Sequence, residues 1–120
     1  MKLLVTGASG QLGRQLQRAA HGHTVIAVDH HALDICSLAA ARHAVRAHQP
    51  DVVINAAAYN QVDKAEAEPA VAFAANALGP RNLALAAAEG SAAIVHVSSD
   101  YVFNGRKGTP YHAPAAFEST

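Results

Sequence analysis

Short apolar runs alternate with stretches of helical periodicity along these 120 residues. Leu3-Leu4-Val5 is a continuous apolar run stopped at Gly7, the pattern of a strand buried on both faces. From Gln11 to Ala20 the apolar positions Leu12, Leu16 and Ala19/Ala20 recur at helical spacing, and Gly22 closes the helix. Thr24 to Val28 reads as a second buried strand ending at Asp29. The connector His30 to Ser37 holds Leu33-Asp34-Ile35, whose alternation allows a very short strand. Ser37 can cap a helix from Leu38 to about His48, and Pro50 ends it. Asp51 to Asn55 is the next strand and leads into Ala56-Ala57-Ala58-Tyr59. A helical tract then runs from about Asp63 to Glu89; Pro69 suits a first turn, and Gly79-Pro80 predicts a break or kink. Ile94 to Val97 is the last strand, running into Ser98-Ser99-Asp100, and the text beyond Phe103 reads as loop. Strands alternating with helices predict an α/β fold built on a doubly wound parallel sheet, with four secure strands and one doubtful.

Composition narrows this picture. Hydrophobic residues reach 51% and charged ones 15%, too apolar and too weakly charged for a disordered chain. Much of the apolar share is alanine, and aromatics are only 5%, so a thin core is expected. Nine Lys+Arg balance nine Asp+Glu, which gives no electrostatic reason to expect nucleic acid or an anionic membrane as a partner. The single cysteine, Cys36, excludes an internal disulfide and any multi-cysteine metal site, and fits a reducing, cytoplasmic setting. The opening residues are too short an apolar run for a signal peptide, and no window suits a transmembrane helix. The eight histidines include no HExxH and no ligand-spaced pair backed by a carboxylate, so they are expected at exposed helix ends and loops rather than around a metal.

The strongest local signal is Gly7-Ala8-Ser9-Gly10-Gln11-Leu12-Gly13, a GxxGxxG directly after the first strand. Glycines there serve a tight turn, backbone approach to a pyrophosphate and close helix-to-strand packing, with phosphates on the positive end of the following helix. This makes the sheet Rossmann-like and points to a dinucleotide, NADH or NADPH. Asp29, at the end of the second strand, stands where a carboxylate accepts hydrogen bonds from an adenosine ribose and repels a 2′-phosphate. That favours NADH, with His30, His31 or Arg14 able to soften the discrimination; a solvated strand-end aspartate is the plainer alternative. Asp34 can bond an adenine amino group and Ile35 cover its face, although helix entry near Ser37 competes for the same residues. Asn55 to Asn60 leaves its strand on the ligand side of such a sheet, where small alanines permit backbone approach to a cofactor or simply pack. Ser98 and Ser99 leave the last strand at the same edge; a hydroxyl there can bond a substrate carbonyl, or cap a turn.

Five blocks carry a resemblance: Leu4 to Gly13, Leu33-Asp34-Ile35, Pro50 to Tyr59, Val62-Asp63-Lys64-Ala65-Glu66, and Val97 to Phe103. The chain resembles the N-terminal part of the extended short-chain dehydrogenase/reductase superfamily, and within it the dTDP-4-dehydrorhamnose reductases. The glycine block belongs to the whole superfamily; the Val62–Glu66 and Ser99–Phe103 blocks are more specific. The resemblance covers roughly residues 1 to 111. It implies that Gly7, Gly10, Gln11 and Leu12 hold the pyrophosphate with Gly13 in the same turn, that Asp29 takes the ribose, and that Asp34 and Ile35 take the adenine. It further implies that Ala58, Tyr59, Asn60 and Val97 line the path to the nicotinamide ribose. Ser99 falls where the family places its catalytic Ser/Thr hydroxyl, usually Thr, and Ser99 and Asp100 adjoin the dTDP-sugar. Asn60 replaces a more usual Thr. The implied activity is NAD(P)H-dependent reduction of dTDP-4-dehydro-L-rhamnose to dTDP-L-rhamnose by a cytoplasmic enzyme, with a homodimer possible in such a family.

One part of the pattern is missing. Such reductases protonate the substrate oxygen with a tyrosine whose pKa is lowered by a lysine four residues on. Four residues beyond Tyr59, Tyr101 and Tyr111 stand Asp63, Gly105 and Ala115. The pair is expected beyond residue 120, and residues 112–120 depart from the family as a divergent tail, as an altered reading frame or early stop would produce. The expectation is therefore a partial cofactor-binding domain over residues 1–111, incomplete at its C-terminal side, without a substrate domain, weakly stable and inactive alone. Two alternatives stand beside it: a non-catalytic nucleotide-binding protein like the regulatory subunit of methionine adenosyltransferase, and another sugar-nucleotide epimerase or dehydratase. The Val62–Glu66 block favours the reductase over the second of these.

Overall fold

The computed structural model describes residues 1–99 and 103–111; Asp100 and the 112–120 tail lie outside the described residues. In chain order the elements are β1 (Lys2–Thr6), α1 (Gln11–Ala19), β2 (Thr24–Val28), α2 (Leu38–His48), β3 (Val52–Asn55), α3 (Val62–Ala67), α4 (Pro69–Phe73), α5 (Gly79–Glu89) and β4 (Ala93–His96). The strands form one parallel sheet in the order β2-β1-β3-β4. The chain steps outward from β1 to β2, then crosses back over β1 to β3 and on to β4. Right-handed crossovers therefore put α1 on one face and α2 with α5 on the other. The fold is the expected Rossmann-like α/β sheet, and its order reverses between β1 and β3, where such sheets bind ligands.

The main core lies under α2 and α5. Leu4 and Val53 point from the sheet into Ala41, Ala44 and Val45 of α2 and Leu83, Ala86 and Ala87 of α5. Alanine makes this core thin in volume but lets the two helices approach closely. A Cβ at Gly90 would stand 2.4 Å from Val45 Cγ1. Outside this layer Arg42 clasps Glu89 through its Nε and Nη2, at 2.9 and 2.7 Å; the pair is exposed and adds little stability. Leu3 and Val5, on the opposite pleat of β1, are buried as well.

Three expectations are corrected. Leu33-Asp34-Ile35 is not a strand: it runs irregularly from one turn into the next, with the Leu33 N–H on Asp29 O at 2.9 Å and the Leu33 and Ile35 side chains plugged into the core. The last strand begins and ends one residue early, so Val97 lies past β4, although its N–H still reaches Asn55 O at 3.4 Å. The long helical tract breaks at Glu68, before Pro69, but at Gly79-Pro80 it is neither broken nor simply kinked. Instead Ala74–Leu78 forms a π turn closed by the Gly79 N–H on Ala74 O. In a straight α-helix the Pro80 ring would strike the carbonyl four residues back, that of Asn76, and widening the turn relieves this. Ser37 caps α2 as expected, its Oγ accepting from the Ala40 N–H at 3.1 Å. β4 lies at the sheet edge, with Val95 and Val97 about half exposed.

One side chain fastens the ligand edge of the sheet. Asn55, fully buried at the end of β3, accepts from Thr6 Oγ1 at 2.7 Å and from the Ala57 N–H at 3.1 Å. Its Nδ2 lies 3.1 Å from His96 Nδ1 of β4, so the amide joins β1, β3 and β4. Replacing Asn55 by Ala leaves the buried Thr6 hydroxyl and Ala57 N–H without this acceptor and is expected to cost about 2–4 kcal/mol in urea unfolding. A loss below about 1 kcal/mol would contradict that role.

Glycine positions give a second test. A Cβ at Gly13 would sit 2.1 Å from Gly7 O, whereas one at Gly22 (φ +80°) would meet nothing within 4 Å. Gly13→Ala is expected to cost about 3 kcal/mol or more, and Gly22→Ala only about 1 kcal/mol, the strain of its positive φ alone. Equal losses in thermal or urea melts would contradict the packing role assigned to Gly13.

Candidate functional site

A cavity of about 990 Å³ opens at the C-terminal edge of β1 and β3, over the start of α1. Three segments wall it: the glycine turn, the connector after β2, and Ala56 to Gln61 after β3, with Val71 and Ala75 closing one side. Sheet order places the connector and the Ala56–Gln61 segment on opposite sides of the glycine turn.

The turn itself is built for close approach. Gly7 has φ +68°, and a Cβ there would stand 2.6 Å from the Ala56 carbonyl and the Ala57 nitrogen. Only glycine fits between β1 and β3 at this point. The Gly10 N–H returns to Gly7 O at 3.0 Å, and Gly10 is the N-cap of α1 without a side-chain cap. The first amides of α1 are thus open donors at the positive end of the helix. Gln17, which pattern reading missed, braces the turn by donating to Ala8 O at 2.9 Å and to Gly13 O at 3.0 Å. The Ala8 N–H ties the turn to Val28 O of β2 at 3.1 Å.

Nine of the residues singled out in the sequence line this cavity: Gly7, Gly10, Gln11, Leu12, Asp34, Ile35, Ala58, Tyr59 and Asn60. Gly13 does not; it is buried beneath the turn as the packing glycine. Asp29 does not line it either. Its Oδ1 accepts from the His31 and Ala32 N–H groups, both at 3.0 Å, and caps the turn that follows β2. The Ala32 N–H, more than any other partner, holds the Asp29 carboxyl below its usual pKa. His30 lines the cavity and lies against His31, ring centroids 3.9 Å apart. Asp34 bonds the Cys36 N–H at 2.9 Å, and burial first, then Asp34, pushes the Cys36 thiol up. Ile35 lines the cavity while its side chain lies in the core. Val97 and Ser99 are exposed and not among the cavity walls, and Asp100 lies outside the described residues.

Tyr59 is held at both ends. Its N–H donates to Asn76 Oδ1 at 2.8 Å, and its carbonyl accepts from Asn76 Nδ2 at 3.1 Å. Its hydroxyl donates to Glu68 Oε2 at 3.1 Å. Partial burial and then the Glu68 carboxylate raise the phenol's pKa, the opposite of what a lysine does to a catalytic tyrosine. Asn76 and Glu68 were not legible as site residues; the one hint for Asn76 is an amide within the apolar tract Val71 to Leu78.

With this geometry in place, the comparisons are consistent. The RmlD substrate binding domain family matches residues 1–118. A dTDP-4-dehydrorhamnose reductase of Streptomyces griseus is 50% identical over 110 residues, 90% of this chain and 36% of the relative. The crystal structure of a dTDP-4-dehydrorhamnose reductase from Clostridium acetobutylicum superposes with a TM-score of 0.93 at 41% identity, covering 99% of this chain and 43% of that one. The reductase from Bacillus anthracis, solved in complex with NADP, gives 0.85 at 38% identity over 88% of this chain and 39% of that one. The chain thus spans about a third of the length of the curated relatives it matches. A family match along nearly every residue, and superposition of 99% of the chain on a reductase structure, lead to one conclusion: the chain belongs to the RmlD substrate-binding-domain family, with the dTDP-4-dehydrorhamnose reductases as its relatives.

Proposed function

We propose that residues 1–111 form the dinucleotide-binding part of a reductase that converts dTDP-4-dehydro-L-rhamnose to dTDP-L-rhamnose with NADH or NADPH. The observation that carries this reading is the open, uncapped start of α1 facing a 990 Å³ cavity at the sheet's switch point. The B. anthracis relative that shares this fold is solved with NADP.

The cavity's donor set suits such a group. The amides of Gln11 and Leu12 and the positive end of α1 neutralise a pyrophosphate without any cationic side chain. This fits a chain whose formal charge is zero. Asp34 and Ile35 frame the adenine end, and Asp29, beside His30, takes the ribose. Ala58, Tyr59, Asn60 and Val97 border the nicotinamide end. A bound nicotinamide would supply hydride to the substrate carbonyl. Ser99 would hold that carbonyl oxygen through its hydroxyl, with Asp100 at the sugar nucleotide. The proton donor of a Tyr-x-x-x-Lys pair is not encoded within these 120 residues. A nucleotide-binding protein without turnover is the second reading, and it shares the same cavity and donor set. A cytoplasmic location and a homodimer belong to the first reading; no helix among the described residues is long and apolar enough to cross a membrane.

Calorimetric titration of the 120-residue chain is expected to show saturable binding of NADPH and NADH. Gly10→Glu, which sets a carboxylate on the pyrophosphate path, should weaken both at least about tenfold with the fold retained. No binding by the unaltered chain would overturn both readings. Purified chain is expected to show no oxidation of NADPH with dTDP-4-dehydro-L-rhamnose, and measurable turnover would rule out the need for the tyrosine–lysine pair.

Asp29 gives a pH test. Its carboxyl titrates lower folded than unfolded, so its contribution to stability is fully present above the ordinary carboxylate range. That contribution is lost as pH falls through the folded-state value. The stability difference between the unaltered chain and Asp29→Asn should therefore be constant near neutrality and shrink under acid. A difference that grows as pH falls would contradict the turn-capping role.

A further inference from the structure

The cavity has a wall whose position is set from outside it. Beyond Asn55 the chain leaves the sheet, and the Tyr59 backbone is no longer paired with a strand. Asn76 replaces that strand: its side-chain amide takes the Tyr59 N–H at 2.8 Å and gives an N–H to the Tyr59 carbonyl at 3.1 Å. We propose that Asn76 is a positioning residue that fixes the Ala58–Asn60 wall and, through it, the affinity for the nicotinamide half of the dinucleotide. The proposal rests on the dinucleotide reading above and adds a residue to it that does not itself line the cavity.

The placement of Asn76 follows from sequence. It sits in the middle of the π turn Ala74–Leu78, which Pro80 requires because its ring opposes the Asn76 carbonyl in a regular helix. Gly79, the next residue after the turn, lies so close to the connector that a Cβ would stand 2.5 Å from Ile35 Cδ1. Asn82, one turn further, donates to Ile35 O at 3.0 Å from a buried position. The start of α5 is therefore pinned to the adenine-side connector, while the π turn before it aims Asn76 at the opposite wall. Ala75, beside Asn76, is part of the cavity surface itself, so a larger side chain at 76 is not needed to reach the ligand. Glu68 holds the other end of Tyr59 through its hydroxyl, which keeps the ring from swinging when the backbone is released.

The test separates the two halves of the ligand. NADPH and 2′,5′-ADP, which lacks the nicotinamide and its ribose, are titrated into the unaltered 120-residue chain, Asn76→Ala and Asn76→Asp. The aspartate is isosteric and keeps the acceptor for the Tyr59 N–H, but sets a carboxylate oxygen against the Tyr59 carbonyl. Both variants should bind NADPH about tenfold more weakly, the loss expected of one or two neutral hydrogen bonds, with 2′,5′-ADP affinity unchanged within about twofold. Should Asn76→Ala fail to fold, the isosteric variant decides. Unchanged NADPH affinity in a folded variant overturns the proposal, and so does an equal loss for both ligands, which marks general disruption. If the unaltered chain binds neither of these ligands nor NADH, the dinucleotide reading fails and the role of Asn76 with it, a result distinct from binding by the unaltered chain with no change in the variants.

Discussion

The ligand edge of this sheet depends on the carboxamide of Asn55. A parallel sheet ends in open peptide groups at its C-terminal edge, and here β1 and β3 finish together under a cavity with β4 beside them. Asn55 closes that edge from within by accepting from Thr6 of β1 and from its own chain at Ala57, and by reaching His96 of β4. The Ala57 contact also fixes the exit angle of the chain, so the segment that becomes the cavity wall starts from a defined point. Gly7 can then pass within contact of Ala56 only because it has no side chain. Strand ends, glycine turn and cavity wall form one coupled unit.

That unit explains how a chain with no net charge can offer an anion site. The positive potential comes from aligned peptide dipoles and open amides at the start of α1, which do not enter a count of lysines and arginines. It also explains the use of alanine. Large side chains in α2 and α5 would hold the helices off the sheet, and the start of α5 would lose its contact with Ile35. The thin core is compatible with a precise site because the site is held by hydrogen bonds to backbone: Gln17 on the glycine turn, Asn82 on the connector, Asn76 on the Tyr59 segment.

Much of this was legible along the chain. Apolar runs and glycines placed all four strands, α1 and α2 to within a residue or two, because each depends on local pattern. The glycine turn, Asp34, and Ala58 to Asn60 reach the cavity as expected, since they follow strand ends directly. Leu33-Asp34-Ile35 misled because alternation that looks like a strand also arises when two apolar side chains plug a core from a turn. Val97 and Ser99 follow β4 at the sheet edge and stand outside the cavity lining, where Ala56 to Gln61 and Val71 form the wall on that side. Asn76 and Glu68 were invisible because their roles depend on a π turn and a helix break that bring distant residues to Tyr59. The Val62–Glu66 block pointed to the relatives that the comparisons then found.

The most direct measurement is residue-resolved. In ¹H–¹⁵N NMR spectra of the 120-residue chain titrated with NADPH, the largest amide shifts should fall on Gly7 to Leu12, His30 to Cys36 and Ala57 to Asn60, with the Asn55 side-chain amide also moving. Shifts confined to the β4 edge or to residues 103–111, or none at saturating nucleotide, would contradict a cavity organised by Asn55 around the glycine turn.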